Sequence, residues 1–329
     1  MISKNKKILK GYMNLKMKKG RIQLITTPSI IYSVLAYVAN PGNNTVSIID
    51  IETNLMTYNI LVRSIPYRLA ITPDGMRIYV TNYGDLTISV IDTIANAVTA
   101  TIFTEGNPSG LAITPDGTHI YVTNEDNNTI SVIDIATNTV IATVYVGTTP
   151  NEVAITPDGK YTYVTNAGSD NVSVINTNTN KVISTISIGY KPSGVAITPD
   201  GNHAYVTNKF SDNVSVINTA INKVISTIFV GYKPSGIVIT PDGMYAYVTN
   251  AGSNNISVIN TATNTVTATV FVGDAPSGIA ITPDGTHVYV TNEFSDNVSV
   301  INTATNTVTS TTDIKSNSFP IRILIKNGM

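Results

Sequence analysis

The 329-residue sequence contains no cysteine. This absence excludes disulfides, zinc sites built on thiolates and cysteine nucleophiles. Charged residues are scarce, at 12% of the chain, and the formal net charge is −1. A nucleic-acid-binding protein usually carries a basic domain, so this class is disfavoured. No segment reaches the ~20 consecutive apolar residues that a membrane-spanning helix requires.

The basic residues are concentrated at the N-terminus, where the first 21 residues contain eight Lys and Arg. An uncharged stretch follows and ends in Leu35-Ala36-Tyr37-Val38-Ala39. This order resembles an export signal, but polar residues interrupt the apolar part, and cleavage after Ala39 would remove a strand that the repeats need. We therefore expect residues 1–21 to be a basic, disordered tail and residues 22–329 to form one domain.

A tetrad, Tyr-Val-Xaa-Asn, recurs every 42 residues. Its seven copies begin at Tyr37, Tyr79, Tyr121, Tyr163, Tyr205, Tyr247 and Tyr289. A second tetrad, Thr-Pro-Asp-Gly, occurs six times between Thr72 and Gly285 with the same period. A constant period of this length is typical of propellers with four-stranded blades.

The strands of one unit follow from its residue chemistry. In the third copy, the expected strands are 108–114, 120–123, 129–133 and 140–146. Pro115-Asp116-Gly117 forms a turn between the first two. The connections are too short for parallel crossovers, so each unit is an antiparallel meander. Consecutive apolar residues indicate that both faces of the sheet are packed. We therefore predict an all-β, seven-bladed propeller with four antiparallel strands per blade.

The two chain ends are expected to meet in the first blade. The first copy lacks the apolar strand that precedes the tetrad elsewhere, and Pro320–Ile325 at the C-terminus repeats the pattern of Pro276–Ile281. Strand 320–325 is therefore predicted to be the innermost strand of the first blade and to close the ring. The alternative for this position is Ile22–Thr26.

These motifs resemble a known family. Tyr79-Val80-Thr81-Asn82, Ser89-Val90-Ile91-Asp92 and Thr114-Pro115-Asp116-Gly117 are similar to the YVTN β-propeller repeats of archaeal surface-layer proteins and of bacterial secreted or periplasmic proteins. The resemblance extends from about residue 36 onward, although Ala39 replaces Thr in the first copy. It implies a location at the cell surface, outside the cell or in the periplasm; a cytoplasmic location stays open.

Propellers usually bind through loops on one face. Here the loops entering each innermost strand and those between the second and third strands share a face. The candidate partner-binding residues on them are Arg63, Tyr67, Arg68, Glu105, Glu125, Asp126, Glu152, Tyr190, Lys191, Lys209, Phe210, Tyr232, Lys233 and Phe294. Acidic members fall around the third and fourth blades and basic members around the fifth and sixth. We predict that this face has an uneven distribution of charge and many aromatic side chains, and that it recognises a protein or glycan at the cell envelope. The protein is expected to be a monomer and to use no cofactor or metal.

Catalysis is the alternative. Propellers resembling this one include lactonases and a streptogramin lyase, whose sites need unlike residues, typically His with Glu, near the axis. The inner strands instead present alanines such as Ala70 and Ala112 at one repeated position, and the blades are nearly identical. A small-molecule hydrolase or lyase using the same loops is therefore the second hypothesis, with Glu105, Glu125 and Glu152 as its best acids. His119, His203 and His287 lie on the opposite face and are expected to be structural.

Overall fold

The computed structural model describes residues 14–18, 21–25, 34–314 and 322–326. Within these residues the chain forms seven four-stranded antiparallel sheets and one separate two-stranded sheet. The innermost strand of every large sheet contacts those of the sheets before and after it, so the seven sheets close into a ring. The predicted seven-bladed propeller with four antiparallel strands per blade is therefore confirmed.

Each blade contains four strands, which we name inner, second, third and outer from the axis of the ring. The inner strands of blades 1 to 7 are Arg322–Lys326, Pro66–Ile71, Pro108–Ile113, Pro150–Ile155, Pro192–Ile197, Pro234–Ile239 and Pro276–Ile281. The second strands are Leu35–Asn40, Arg77–Asn82, His119–Asn124, Tyr161–Asn166, His203–Asn208, Tyr245–Asn250 and His287–Asn292.

The third strands are Thr45–Asp50, Thr87–Asp92, Thr129–Asp134, Asn171–Asn176, Asn213–Asn218, Asn255–Asn260 and Asn297–Asn302. The outer strands are Leu55–Leu61, Ala97–Phe103, Thr139–Tyr145, Lys181–Ser187, Lys223–Phe229, Thr265–Phe271 and Thr307–Asp313. The only helical segment of the described chain is a 3₁₀ turn, Tyr83–Asp85, so no described helix could cross a membrane.

The Thr-Pro-Asp-Gly tetrad forms the turn between the inner and second strands. In blade 3, the Asp116 carboxylate accepts hydrogen bonds from the Thr114 hydroxyl at 2.6 Å and from the Thr118 N–H at 3.0 Å. Gly117 takes a φ of +70°, which L-residues with a Cβ adopt at a cost. The tetrad recurs because this turn needs each of its residues.

The Tyr-Val-Xaa-Asn tetrad holds neighbouring blades together. The Tyr121 ring is buried between blades 3 and 4, and its hydroxyl donates to Asn180 Oδ1 of blade 4 at 2.7 Å. The Asn124 side-chain amide donates to Ser131 on the third strand at 2.8 Å. Apolar side chains of both blades fill the space between them, so the sheets are packed on both faces as the sequence predicts.

The C-terminal strand closes the ring in blade 1. Arg322–Lys326 pairs antiparallel with the second strand of that blade, with Leu35 opposite Lys326 and Ala39 opposite Arg322. The prediction that the C-terminal strand, 320–325, is the inner strand of blade 1 is therefore confirmed for its described residues. The alternative, Ile22–Thr26, is wrong because Arg21–Ile25 pairs with Asn14–Lys18 instead.

Blade 7 is also bonded to blade 1. The Tyr289 hydroxyl donates to Asn54 Oδ1 at 3.0 Å, and the Thr312 hydroxyl donates to the Asn54 carbonyl oxygen at 2.7 Å.

In the N-terminal segment, for which the sequence predicts a disordered tail, residues 14–18 form a strand. Most other residues of that segment lie outside the described part of the chain, so the tail stays a prediction.

Candidate functional site

The third residue of each inner strand breaks the symmetry of the repeats. In blades 2 to 7 these residues are Arg68, Gly110, Glu152, Gly194, Gly236 and Gly278. The position is crowded, since a Cβ on Gly194 would lie 2.5 Å from the carbonyl oxygen of Ser235 in the next blade. Blades 2 and 4 therefore carry charged side chains at a position where the packing of blades 3, 5 and 6 favours glycine.

These two charged residues form an ion pair. The Arg68 guanidinium of blade 2 contacts the Glu152 carboxylate of blade 4, and their side chains are 6% and 17% exposed. Gly110 of blade 3 lies between them in the ring and packs against the backbone of Glu152. Burial raises the pKa of Glu152, and the positive charge of Arg68 opposes this shift.

Two tyrosines of blade 2, Tyr67 and Tyr83, connect Arg68 with residues of blade 3. The Arg68 guanidinium carbon lies 5.3 Å from the centre of the Tyr67 ring, and the Tyr67 and Tyr83 ring centres are 6.0 Å apart. Tyr83 acts on the neighbouring Glu125 carboxyl group, whose pKa it lowers, and the Asn107 side chain lowers the pKa of Tyr83 in turn. We call Tyr67, Arg68, Tyr83, Glu125 and Glu152 the axial cluster.

Glu125 is the titratable group of the cluster that stands apart from the ion pair. It is half-buried, and burial raises its pKa above the ordinary glutamate value. The nearby Asp126 charge raises the pKa further, whereas the Tyr83 hydrogen bond and the Lys191 charge lower it. A carboxylate whose pKa is raised accepts a proton more readily than an ordinary glutamate, which suits a general base.

A second acid occupies the same repeat position as Glu125, directly after the Tyr-Val-Xaa-Asn tetrad. In blade 7 this residue is Glu293, whose pKa is raised by burial and lowered by the charge of Lys209. Lys209 holds the same position in blade 5, whereas blades 4 and 6 have Ala167 and Ala251 there. This repeat position thus carries unlike side chains in the different blades.

The cluster combines a half-buried carboxyl group, a phenol and a buried guanidinium. Such a set can activate a water molecule and stabilise negative charge on an oxygen atom, which are the two requirements of ester hydrolysis. Among the residues that the structure describes, no three His, Cys, Asp or Glu side chains are grouped to hold a metal ion.

Comparison with known families decides the classification. The model of the family described as "Lactonase, 7-bladed beta-propeller" matches residues 77–185 and 219–320. The chain belongs to this lactonase family. The matched segments include Glu125 and Glu152 but begin after Arg68. The finer resemblance to YVTN repeats stays an expectation, and a comparison with curated proteins found no match.

Solved structures share the fold of this lactonase-family chain. Hydrazine synthase of Kuenenia stuttgartiensis matches with a TM-score of 0.76 and 27% identity, over 83% of this chain and 93% of that one. A candidate 6-phosphogluconolactonase of Bacteroides uniformis matches with a TM-score of 0.76 and 17% identity, over 89% of this chain and 99% of that one. A protein of unknown function from Desulfotomaculum acetoxidans matches with a TM-score of 0.79 and 18% identity, over 90% of this chain and 100% of that one.

The structure brings together four of the residues that the sequence proposed for binding: Tyr67, Arg68, Glu125 and Glu152. Arg68 and Glu152 lie on inner strands and not in the entering loops where the sequence placed them. Glu105 does not join this lactonase-family cluster. It is exposed, and its carboxylate accepts a hydrogen bond of 3.4 Å from Thr143 on the outer strand of blade 3.

The other proposed residues lie around the rim. Arg63 is half-exposed and lies 4.0 Å from the Asp85 carboxylate. Lys191 Nζ lies 5.1 Å from the centre of the exposed Phe210 ring. The remaining exposed members are Asp126, Tyr190, Tyr232, Lys233 and Phe294. Acidic and basic members are not fully separated, because the Lys191 charge acts on Glu125.

The sequence-based argument against catalysis examined the wrong repeat position. It used the alanines at Ala70, Ala112 and their equivalents, which lie two residues beyond Arg68 and Gly110. Comparing the third inner-strand residue across blades 2 to 7 would have separated Arg68 and Glu152, which the sequence analysis named only as loop residues, from the glycines of the other four blades. Tyr83 and Glu293, which follow the tetrads of blades 2 and 7, are recognisable in the sequence as loop residues of the same face but are not among the candidate site residues.

The histidines lie at the other end of the second strands from the axial cluster. His119 begins its strand, and its Nδ1 lies 2.7 Å from the Thr118 hydroxyl. It lines an open cleft of about 480 Å³ between blades 3 and 4, together with Asp116 and Lys160. Each histidine occupies the same place in its own blade, so the three do not converge on one ligand.

Proposed function

We propose that this chain is a lactone hydrolase and that the axial cluster is its active site. The observation that carries the proposal is the chain of contacts that joins the buried Arg68–Glu152 ion pair, through the Tyr67 and Tyr83 rings, to Glu125 of blade 3. Membership of the lactonase family supports it. Two solved structures of similar fold from Bacteroides, both described as candidate 6-phosphogluconolactonases, agree with a lactone as the class of substrate.

In the proposed reaction Glu125 is the general base. Its carboxylate takes a proton from a water molecule, whose oxygen attacks the lactone carbonyl carbon. The carbonyl oxygen becomes an oxyanion, which the Arg68 guanidinium stabilises with N–H groups that do not bind Glu152. The carbonyl re-forms as the ring C–O bond breaks, and the departing oxygen takes the proton from Glu125. The product is an open-chain hydroxy acid.

Glu152 and Tyr83 are positioning residues in this scheme. Glu152 fixes the guanidinium of Arg68 through the ion pair. Tyr83 orients the Glu125 carboxylate and limits the rise of its pKa, since its hydroxyl hydrogen-bonds the charged form.

The test is proton release from a panel of aldonolactones and aryl lactones at constant pH, corrected for spontaneous hydrolysis. We expect the wild type to hydrolyse at least one of them, and Glu125→Gln to lower kcat/KM by about 10²- to 10⁴-fold. Glu105→Gln is the matched control, because Glu105 is an acid of blade 3 outside the cluster. No hydrolysis by the wild type, or equal activity of the two variants, would reject the proposal.

Recognition of a partner at the cell envelope, the first hypothesis from the sequence, concerns other side chains. The observation that favours it is the strong exposure of aromatic residues such as Tyr190 and Phe294 on the loop face. A location at the cell surface or outside the cell stays part of this second proposal, and immunodetection on intact cells before and after protease treatment tests it.

A further inference from the structure

Ser109 connects the two blades that carry the ion pair of the axial cluster. It is the second residue of the inner strand of blade 3, and it is fully buried. Blade 3 lies between blade 2, which carries Arg68, and blade 4, which carries Glu152. Ser109 is hydrogen-bonded to both neighbouring blades, to one through its backbone and to the other through its side chain.

The bond to blade 2 involves the backbone of Ser109. The N–H of Arg68 donates to the Thr81 hydroxyl at 2.9 Å, and this hydroxyl donates to the Ser109 carbonyl oxygen at 3.0 Å. Thr81 is fully buried, so water does not compete for either bond. A single hydroxyl group therefore joins the backbone that carries the guanidinium to the inner strand of blade 3.

The bond to blade 4 involves the side chain of Ser109. Its Oγ lies 3.1 Å from the carbonyl oxygens of both Pro150 and Asn151. These two residues directly precede Glu152. The Ser109 Oγ also lies 2.7 Å from the Thr123 Oγ1. When Thr123 donates to Ser109, the proton of Ser109 is available to the carbonyl oxygens of blade 4.

The side-chain bond is not a general feature of the repeats. Ser193 and Ser235 hold the same position in blades 5 and 6, and a threonine of the preceding blade donates to their carbonyl oxygens at 2.8 and 2.7 Å. Their hydroxyls form no hydrogen bond to any residue that the structure describes. The backbone bond thus belongs to the scaffold, whereas the side-chain bond of Ser109 lies beside the strand of Glu152.

We propose that Ser109 is a positioning residue, which holds the strands of Arg68 and Glu152 at the separation that their ion pair requires. A buried ion pair is favourable only when its geometry is good. In the proposed reaction the guanidinium stabilises an oxyanion, and misplacing such a group by about 1 Å can lower a rate by about 10²-fold. The effect on catalysis rests on the proposed lactonase function, whereas the effect on the ion pair does not.

The first experiment examines the ion pair without an activity assay. Glu152→Met is introduced into the wild type, into Ser109→Ala and into Ser193→Ala, and thermal unfolding of all six proteins is followed by circular dichroism. Ser193→Ala is the matched control, because it removes a hydroxyl from the same strand position without removing a hydrogen bond among the described residues. Each serine substitution deletes one oxygen atom, so both variants are expected to fold.

Ser109→Ala should weaken the ion pair before Glu152 is replaced. In this background we expect Glu152→Met to lower the Tm by about half as much as in the wild type, or less, because residues of one network are not additive. In the Ser193→Ala background the full decrease should remain. Equal decreases in all three backgrounds would overturn the proposal, since a serine that only supports the fold gives additive losses. The same reduction in both serine backgrounds would also overturn it.

The second experiment measures lactone hydrolysis by the two serine variants. We expect Ser109→Ala to lower kcat by about 10-fold or more with a smaller change in KM, since the guanidinium acts on the transition state. Ser193→Ala should retain the wild-type kcat. A Ser109→Ala variant with the wild-type kcat would reject the role of Ser109 in catalysis. A wild type that hydrolyses no lactone rejects the proposed function alone, and the comparison of Tm values then decides whether Ser109 positions the ion pair.

Discussion

Arg68 of blade 2 forms an ion pair with Glu152 of blade 4, across the glycine that blade 3 places between them. The inner strands of blades 3, 5, 6 and 7 carry glycine at this position, so the pair is a departure from the pattern of those blades. It fixes two charged groups beside the axis, where the proposed reaction needs a cation.

The stability of the ring should depend on both partners of this pair. Replacing only one leaves the other charge buried without a partner, and we expect Arg68→Met or Glu152→Met to lower the free energy of unfolding by about 3–5 kcal/mol. The double variant Arg68→Met/Glu152→Met should lose much less than the sum of the two. Urea unfolding of all four proteins measures this coupling. Additive losses would show that the two side chains act separately.

One pair of neighbouring blades lacks the hydrogen bond that a tyrosine hydroxyl makes between the other blades. The Tyr163 hydroxyl donates to Asn222 Oδ1 at 2.7 Å, but the buried Tyr37 hydroxyl has no partner, and burial raises its pKa to about 12. Tyr163→Phe should cost about 1 kcal/mol. Tyr37→Phe should be neutral or stabilising, because no hydrogen bond is lost. Thermal unfolding compares the two, and an equal loss would contradict this difference between the pairs of blades.

The pH dependence of the proposed lactonase should follow Glu125. The base works as a carboxylate, and burial raises its pKa, so kcat/KM should rise with pH to a plateau, with a midpoint above the ordinary glutamate value of about 4.3. Tyr83→Phe removes a hydrogen bond to the charged form, which should move this midpoint to higher pH. Tyr232→Phe, on the rim, is the control. A midpoint that Tyr83→Phe leaves in place would argue against Glu125 as the base.

Closure of the ring should depend on the C-terminal strand. A chain ending at Ile314 lacks the inner strand of blade 1 and exposes the edge of Leu35–Asn40. We expect its Tm to fall by more than about 10 °C, and a synthetic peptide of residues 315–329 to restore part of the loss. A chain ending at Lys326 keeps the strand and is the control. An unchanged Tm on removal of the strand would mean that the ring does not need this pairing.

The fold could be predicted because each repeat encodes the same local chemistry. The Asp116 turn and the buried Tyr121 are set by residues within one unit or its neighbour, and seven equal periods define the number of blades. The closing strand was also predictable, because Pro320–Ile325 repeats a pattern that the first copy lacks. Periodicity carried this information without knowledge of long-range contacts.

The candidate site depends on contacts that periodicity cannot express. Glu105 and Glu152 both seemed to be loop acids in the sequence, yet one faces the outer strand and the other reaches the axis. Whether a side chain turns inward depends on the curvature of the ring and on the space that Gly110 leaves beside Glu152. The sequence by itself determined the blades and their order, since these follow from local turns and packing. Only the tertiary structure decided which unlike side chains meet, because that requires the positions of three blades at once.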